Sequence, residues 1–330
     1  MKKRTVIILI LLPIITALIC ICIGRMGISP KDVFRAFFGI SDISGRGHIR
    51  ITVMNIRLPR ILLGLLCGAG LSLAGCCFQG FFSNPLATPD TMGVAGGASF
   101  GAALGLLRGF DMIGVQLLSF GMGLAAVFFT KAAASGREHG PAVLVISGIM
   151  VGALFSALVS LVKFLADSES QLPAITYWLM GSLGGTGYKK LALGAPIIII
   201  GIIIIFLLRW RINLLALSED ELIASGTNVK LLRFLVVICA TAMTASVISM
   251  CGQVGWVGLI VPHMCRLIWG QDNAKLIPAS ISIGAAFMVA VDTLARSISA
   301  AEIPVSILTA IVGAPFFISL LNSKRRVIGL

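Results

Sequence analysis

The feature that most constrains this chain is a series of uninterrupted apolar runs, most of them close to 20 residues long. Ten can be placed, over residues 5–23, 60–82, 92–107, 113–131, 141–162, 190–208, 231–250, 256–268, 276–295 and 305–322. Inside a bilayer every backbone N–H and C=O must be satisfied by the protein itself, which leaves α-helices and closed barrels. Runs of this length fit a helix crossing a hydrocarbon core about 30 Å thick, whereas barrel strands would read as short alternations. Charged residues make up 12% of the chain, against about 25% in a soluble domain. The expected fold is therefore all-α and polytopic, with about ten transmembrane helices in a single membrane domain over residues 1–330. The first run follows Lys2, Lys3 and Arg4 but leads into Arg25, Met26 and Gly27, with no small-residue cleavage site, so it reads as an uncleaved span.

An even number of spans puts both termini on one side, and the basic residues at each end make that side cytoplasmic. On this topology 14 Lys and Arg fall inside and 12 outside, a weak bias for a chain of net charge +13. A basic outer face suits an acidic partner, because complementary charge steers encounter and sets register. Arg57 and Arg60, in RLPR at the mouth of the second span, belong to that face, as does Arg296 at the end of the ninth. Asp292 is the only acidic residue well inside an apolar run. It stands one turn before Arg296 in the favourable order, and a structural ion pair between the two is expected.

The eight cysteines form no CxxC pair, and with three histidines in the chain they read as small apolar filler, not a metal site. After the second span, Asn84-Pro85 and Thr88-Pro89 both push the preceding residue out of helix, which predicts a cytoplasmic turn. Residues 163–190 are too polar to span and predict a short amphipathic segment on the outer face, with Tyr177 and Trp178 at the interface. Between spans six and seven, in the 209–230 region, residues 214–226 show apolar positions at helical spacing beside Glu219, Asp220 and Glu221. A helix lying on lipid would carry a basic polar face, so this acidic one fits a protein partner. In GQVGWVGLIVPHMCR, residues 252–266, a helix begun after Gly255 meets Pro262 about two turns in, where it should break or kink. His263 and Arg266 then share a face one turn apart.

RLPR, the Q…NPLATP…GVAGGA stretch, YWLMGSL, LLALSE…SG, GLIVPH..R, D…R…E.P and GAPFF.SLL follow one another from residue 57 to 321. Together they resemble the FecCD-type permease family, the membrane subunits of ABC importers for iron-siderophores, haem and cobalamin. The resemblance implies ten helices per subunit in the cobalamin-permease-like, type II importer architecture. It also implies a dimer of identical or paralogous permeases in the bacterial cytoplasmic membrane, with the path at the subunit interface. Two ATPase subunits below would use the ATP, with no cofactor bound by this chain, and an extracytoplasmic binding protein would deliver the cargo. On matching positions, Arg57, Arg60 and Arg296 would receive acidic residues of the binding protein. Asn84 and Leu86 would narrow the cytoplasmic end of the path. Leu214, Leu215, Ala216, Leu217, Ser218, Glu219 and Gly226 would belong to the coupling loop on the ATPase, where the family usually reads Gly-Glu in place of Ser218-Glu219. Gly258, Pro262, His263 and Arg266 match the family signature, expected to set helix-end geometry. Nucleic acid is not expected as a partner; membrane lipid is.

Two rival classes make different demands. An ion-coupled secondary transporter needs titratable groups at mid-membrane, and Asp292 is the one acidic candidate. An intramembrane enzyme needs parts such as HExxH or a second buried aspartate, and neither is present. The chain has no GxxxxGK[ST] loop with which to bind ATP itself.

Overall fold

A computed structural model describes residues 3–39, 47–82, 84–134, 141–216, 228–299 and 301–328, and these form helices and connecting loops without a strand. Seven helices are long and apolar enough to cross a membrane, and three shorter apolar ones, Val94–Leu107, Val257–Trp269 and Val305–Ser319, accompany them. Together they fall on the ten runs expected from sequence.

The bundle is arranged around α4, Leu58–Phe81. It continues without a break from α3, Gly47–Ile51, through a π-helical turn at Thr52–Arg57. Of the membrane-length window in this long helix 83% is buried, against 17% for α1, Lys3–Cys22. Two further buried helices flank α4, namely α10 (Val229–Cys251) and α12 (Asn273–Ile298). Glycine makes these approaches possible, since lipid offers helices little hydrophobic reason to associate and close backbone contact takes its place. A Cβ built on Gly68 would lie 2.0 Å from the carbonyl oxygen of Gly284 in α12. One built on Gly75 would lie 1.8 Å from that of Gly258 in α11, Val257–Trp269.

Outside this centre stand α1, α6 (Met112–Ala133), α7 (Pro141–Leu165) and α9 (Tyr188–Ile212), whose outward faces are rich in exposed Ile, Leu and Phe, as lipid contact requires. The short α5, Val94–Leu107, is packed among α6, α7 and α10. The last helix, α13 (Val305–Ile328), runs beside α11. Polar contacts set the directions. Ser282 and Arg296 of α12 reach the Leu9 and Cys20 carbonyls of α1, so these two helices are parallel. Both α1 and α12 therefore begin at one end of the bundle, opposite the end that holds Arg57, Arg60 and Arg296.

Two short helices lie off the membrane-length set. The nine-residue α2, Pro30–Phe38, is capped by the Ser29 side chain and closed by Gly39 at φ 66°. It buries Val33 and Ala36 and exposes Phe34, Phe37 and Phe38. It was not anticipated, because it lies between the apolar runs on which the sequence reading was built. The second, α8 (Gln171–Leu179), occupies the amphipathic 163–190 region; it exposes Tyr177 and fully buries Ile175.

Candidate functional site

The arginine end is a buried polar cluster. Arg60 grips Asp292 with two donors, Nη2 to Oδ1 at 2.8 Å and Nε to Oδ2 at 2.9 Å. Its Nη1 reaches both carboxylate oxygens of Glu302 at 3.0 Å. The expected pairing of Asp292 with Arg296 is thus corrected: the cross-helix fork–fork geometry to Arg60 outcompetes the local i, i+4 contact. Arg296 turns instead to the Cys20 carbonyl and to Thr293 Oγ1. Arg57 donates to the carbonyls of Ile21 and Met26. Cys20 and Ile21 lie in the last turn of α1, where carbonyls have no partner within the helix. Two arginines of other helices therefore cap α1 and hold it to α4 and α12, with Gly24 small enough to let Arg57 in.

These arginines are 4%, 7% and 7% exposed for Arg57, Arg60 and Arg296. In this structure they are engaged by groups inside the chain, not presented at the surface where a docking partner is expected to meet them. Removing one partner of such a buried pair costs about 3–5 kcal/mol.

The family-like signature forms a second cluster, where α11 meets α4. Helix α11 continues through Pro262 to Trp269, so of the break or kink expected at that proline the break does not occur. Proline lacks the N–H that would bond the Gly258 carbonyl four residues earlier. That carbonyl accepts instead from Gln79 Nε2 of α4 at 3.2 Å. Gln79 Oε1 in turn accepts from Arg266 Nη1. Gly258, Pro262 and Arg266 are thus joined through Gln79, on the contact made by Gly75. His263 packs its ring 5.4 Å from Phe317 and 6.3 Å from Phe316 of α13. The strained entry to α11 lies just before: Trp256 has φ 69°, unusual for a non-glycine residue.

Asn84 and Leu86 lie in the loop that leads to α5. Asn84 Oδ1 accepts from the Leu86 N–H at 2.9 Å, an Asx turn that leaves Leu86 60% exposed and Ala87 buried. Further along, the Met92 carbonyl is held by Thr130 of α6 at 3.1 Å. Beside this loop a small cavity is lined by Thr88, Asp90, Thr244, Gln253 and Trp256, next to Leu71 in the middle turns of α4. Asp90 is exposed there. The sequence reading passed over it, although it is the only acidic residue in the proline-rich turn.

Of the expected coupling residues, Leu214, Leu215 and Ala216 lie in a short 3-10 turn after α9, with Leu215 buried. Leu217, Ser218, Glu219 and Gly226 lie outside the described residues. The base of this segment is tied down by a contact not foreseen. Asn213 donates to Asp272 at 3.0 Å and accepts from the Asn273 N–H at 2.7 Å, joining the end of α9 to the start of α12. The Asn213 amide, with the Ala274 N–H and Lys275, holds the Asp272 carboxyl below its ordinary range. Among the described residues no group of three His, Cys, Asp or Glu could hold a metal ion. The thiols of Cys67 and Cys251, 3.6 Å apart, share a hydrogen bond and form no disulfide.

The profile of the FecCD transport family matches residues 10–323. The chain belongs to the FecCD transport family. Among curated relatives, the molybdate import system permease MolB of Haemophilus influenzae is 38% identical over 321 residues, 96% of this chain and 95% of that protein. The Fe(3+)-citrate import system permease YfmE of Bacillus subtilis is 35% identical, covering 99% of each. A solved structure described as an inward-facing metal-chelate type ABC transporter superposes with a TM-score of 0.88 at 36% identity, covering 98% of this chain and all of that one. The FecCD assignment accounts for the order of the seven motif blocks and for the all-helical, ten-run architecture.

Proposed function

We propose that this chain is the membrane-spanning subunit through which an ABC importer carries a metal chelate inward, with an iron chelate as the cargo. The observation that carries the reading is the family match from residue 10 to 323, together with likeness to a metal-chelate type transporter along nearly the whole chain. In this reading the end of the bundle with Lys3, Arg4, Arg209 and Lys275 is cytoplasmic, following the excess of positive charge on that side. Two ATPase subunits dock there on the segment that begins at Leu214 and Leu215. The Asn213–Asp272 tether passes their motion to α12. A second permease subunit, identical or paralogous, completes the path, and Asn84 and Leu86 narrow its cytoplasmic end. An extracytoplasmic binding protein meets the opposite end.

The Haemophilus relative keeps an oxyanion open as a second cargo class.

The test is reconstitution of the permease with its ATPase and binding protein in proteoliposomes, measuring uptake of labelled ferric chelates, cobalamin and molybdate. ATP-dependent uptake of a ferric chelate alone is expected. Uptake that proceeds without ATP and collapses with a protonophore would mean an ion-coupled carrier and would overturn the reading. ATP-driven uptake of molybdate would keep the importer and replace the cargo.

A further inference from the structure

A groove runs along the outside of the bundle between α1, α9 and α12, with a cavity of about 580 Å³. Its walls are apolar: Ile10 and Pro13 from α1, Ile202 and Phe206 from α9, Ile281 and Ala285 from α12. The one hydroxyl on its floor, Ser282, is satisfied by the Leu9 carbonyl. Among the described residues the groove's charge lies at one end, where Arg209, Trp210 and Lys275 form the mouth.

That mouth is held in place. The Arg209 guanidinium lies 4.2 Å from the Phe206 ring centroid and 5.5 Å from that of Trp210, and its Nη1 donates to the Phe206 carbonyl at 2.7 Å. Lys275 is half-exposed, with Asp272 at 3.2 Å leaving it only partly neutralised. Trp210, 63% exposed, has the amphipathic ring favoured where hydrocarbon meets headgroups. From Lys275 to Ala285 the groove follows α12 for ten residues, about 15 Å at the helical rise. That is half of a hydrocarbon core about 30 Å thick, the depth of one leaflet. A transmembrane helix from a second copy would need the full thickness. An amphiphile with one anionic head and tails ending at mid-membrane needs only this half, with positive charge at its shallow end.

We propose that the α1–α9–α12 groove binds an acyl chain of an anionic phospholipid, with Arg209 and Lys275 holding its phosphate. The bound lipid would brace α1, which has little else to bury it, against the core. Because Lys275 shares Asp272 with Asn213, headgroup occupancy would also bear on the base of the 214–216 turn.

The test is native mass spectrometry of the full-length permease in detergent, titrated separately with phosphatidylglycerol and phosphatidylcholine of the same acyl chains. Wild-type protein should retain phosphatidylglycerol better by on the order of tenfold. Arg209→Gln with Lys275→Gln should bring phosphatidylglycerol down to the phosphatidylcholine level. The charge-preserving Arg209→Lys with Lys275→Arg should keep most of the preference, which separates loss of charge from loss of fold. Ala285→Phe, which fills the groove, should lower retention of both lipids. Equal retention of the two lipids by wild type would overturn the proposal. So would wild-type retention by the double Gln variant, or displacement of phosphatidylglycerol by an equal concentration of inorganic phosphate. A dimer without lipid adducts that cross-links through cysteines placed at Ile10 would show a second copy in the groove, and would likewise refute it.

Discussion

Gln79 decides at the level of one side chain what the signature Gly258, Pro262 and Arg266 is for. Its amide answers both needs at once, a donor for the carbonyl released by Pro262 and an acceptor for Arg266. Replacing Gln79 by Leu leaves that carbonyl and the guanidinium buried without it, at about 1–3 kcal/mol or more for the charged member. Replacing it by Glu keeps the acceptor and loses the donor. Thermal unfolding of the detergent-solubilised protein should therefore rank wild type above Gln79→Glu, and that above Gln79→Leu. A Leu variant as stable as wild type would show that the junction does not depend on this bridge. The signature residues were legible in the sequence as a group, because proline and glycine punctuate an apolar run. Their partner was not, since it lies 179 residues away from the carbonyl it serves and nothing local marks the pairing. Asp292 shows the same limit from the other side: helical spacing pointed to Arg296, and a better-formed contact from α4 took the carboxylate.

Helices were the easiest level to read, since hydropathy alone placed ten runs, and α1, α4 to α7 and α9 to α13 begin within a few residues of them. What hydropathy could not reveal is which of them touch backbone to backbone. That depends on glycines whose spacing looks alike in sequence. Gly75 and Gly80 lie five residues apart on α4, yet a Cβ at Gly75 would strike the Gly258 carbonyl at 1.8 Å while one at Gly80 meets nothing within 4 Å. Gly75→Ala must push α11 off α4, and overpacking of this kind costs about 1–3 kcal/mol. Gly80→Ala should be neutral or slightly stabilising, because alanine is the better helix former. The paired melting curves check this directly. Equal stabilities for the two variants would mean that α4 and α11 do not meet at Gly75.

At the scale of the whole molecule, the proposed docking of a binding protein has to be reconciled with three marked arginines that are inside. Sequence placed Arg57, Arg60 and Arg296 at the correct end of their helices. It could not show that α1 ends between them and draws Arg57 and Arg296 inward to cap its carbonyls, while Asp292 and Glu302 take Arg60. The charge left at the surface of that end belongs to other residues, among them Lys31 and Arg35 on α2, and Arg50, Arg108 and Lys189. Helix α2 is the best-placed of these carriers, because Val33 and Ala36 anchor it in a cluster with Cys20, Ile21 and Val53. Its Arg35–Asp32 contact is 3.7 Å long and exposed, so it holds the guanidinium weakly and leaves it open to a partner. Lys31→Glu with Arg35→Glu should therefore weaken binding-protein capture by on the order of tenfold at low salt, with the difference shrinking as salt screens it. The fold should be unaffected. Arg60→Glu should behave differently: it sets a third carboxylate against Asp292 and Glu302, and the protein should be lost before docking can be measured. Binding titrations at two salt concentrations, beside melting curves for both variants, separate these outcomes. A stable Arg60→Glu protein that cannot dock, with α2 variants that dock normally, would return the buried arginines to the interface. It would also mean that this end of the bundle opens when the binding protein arrives.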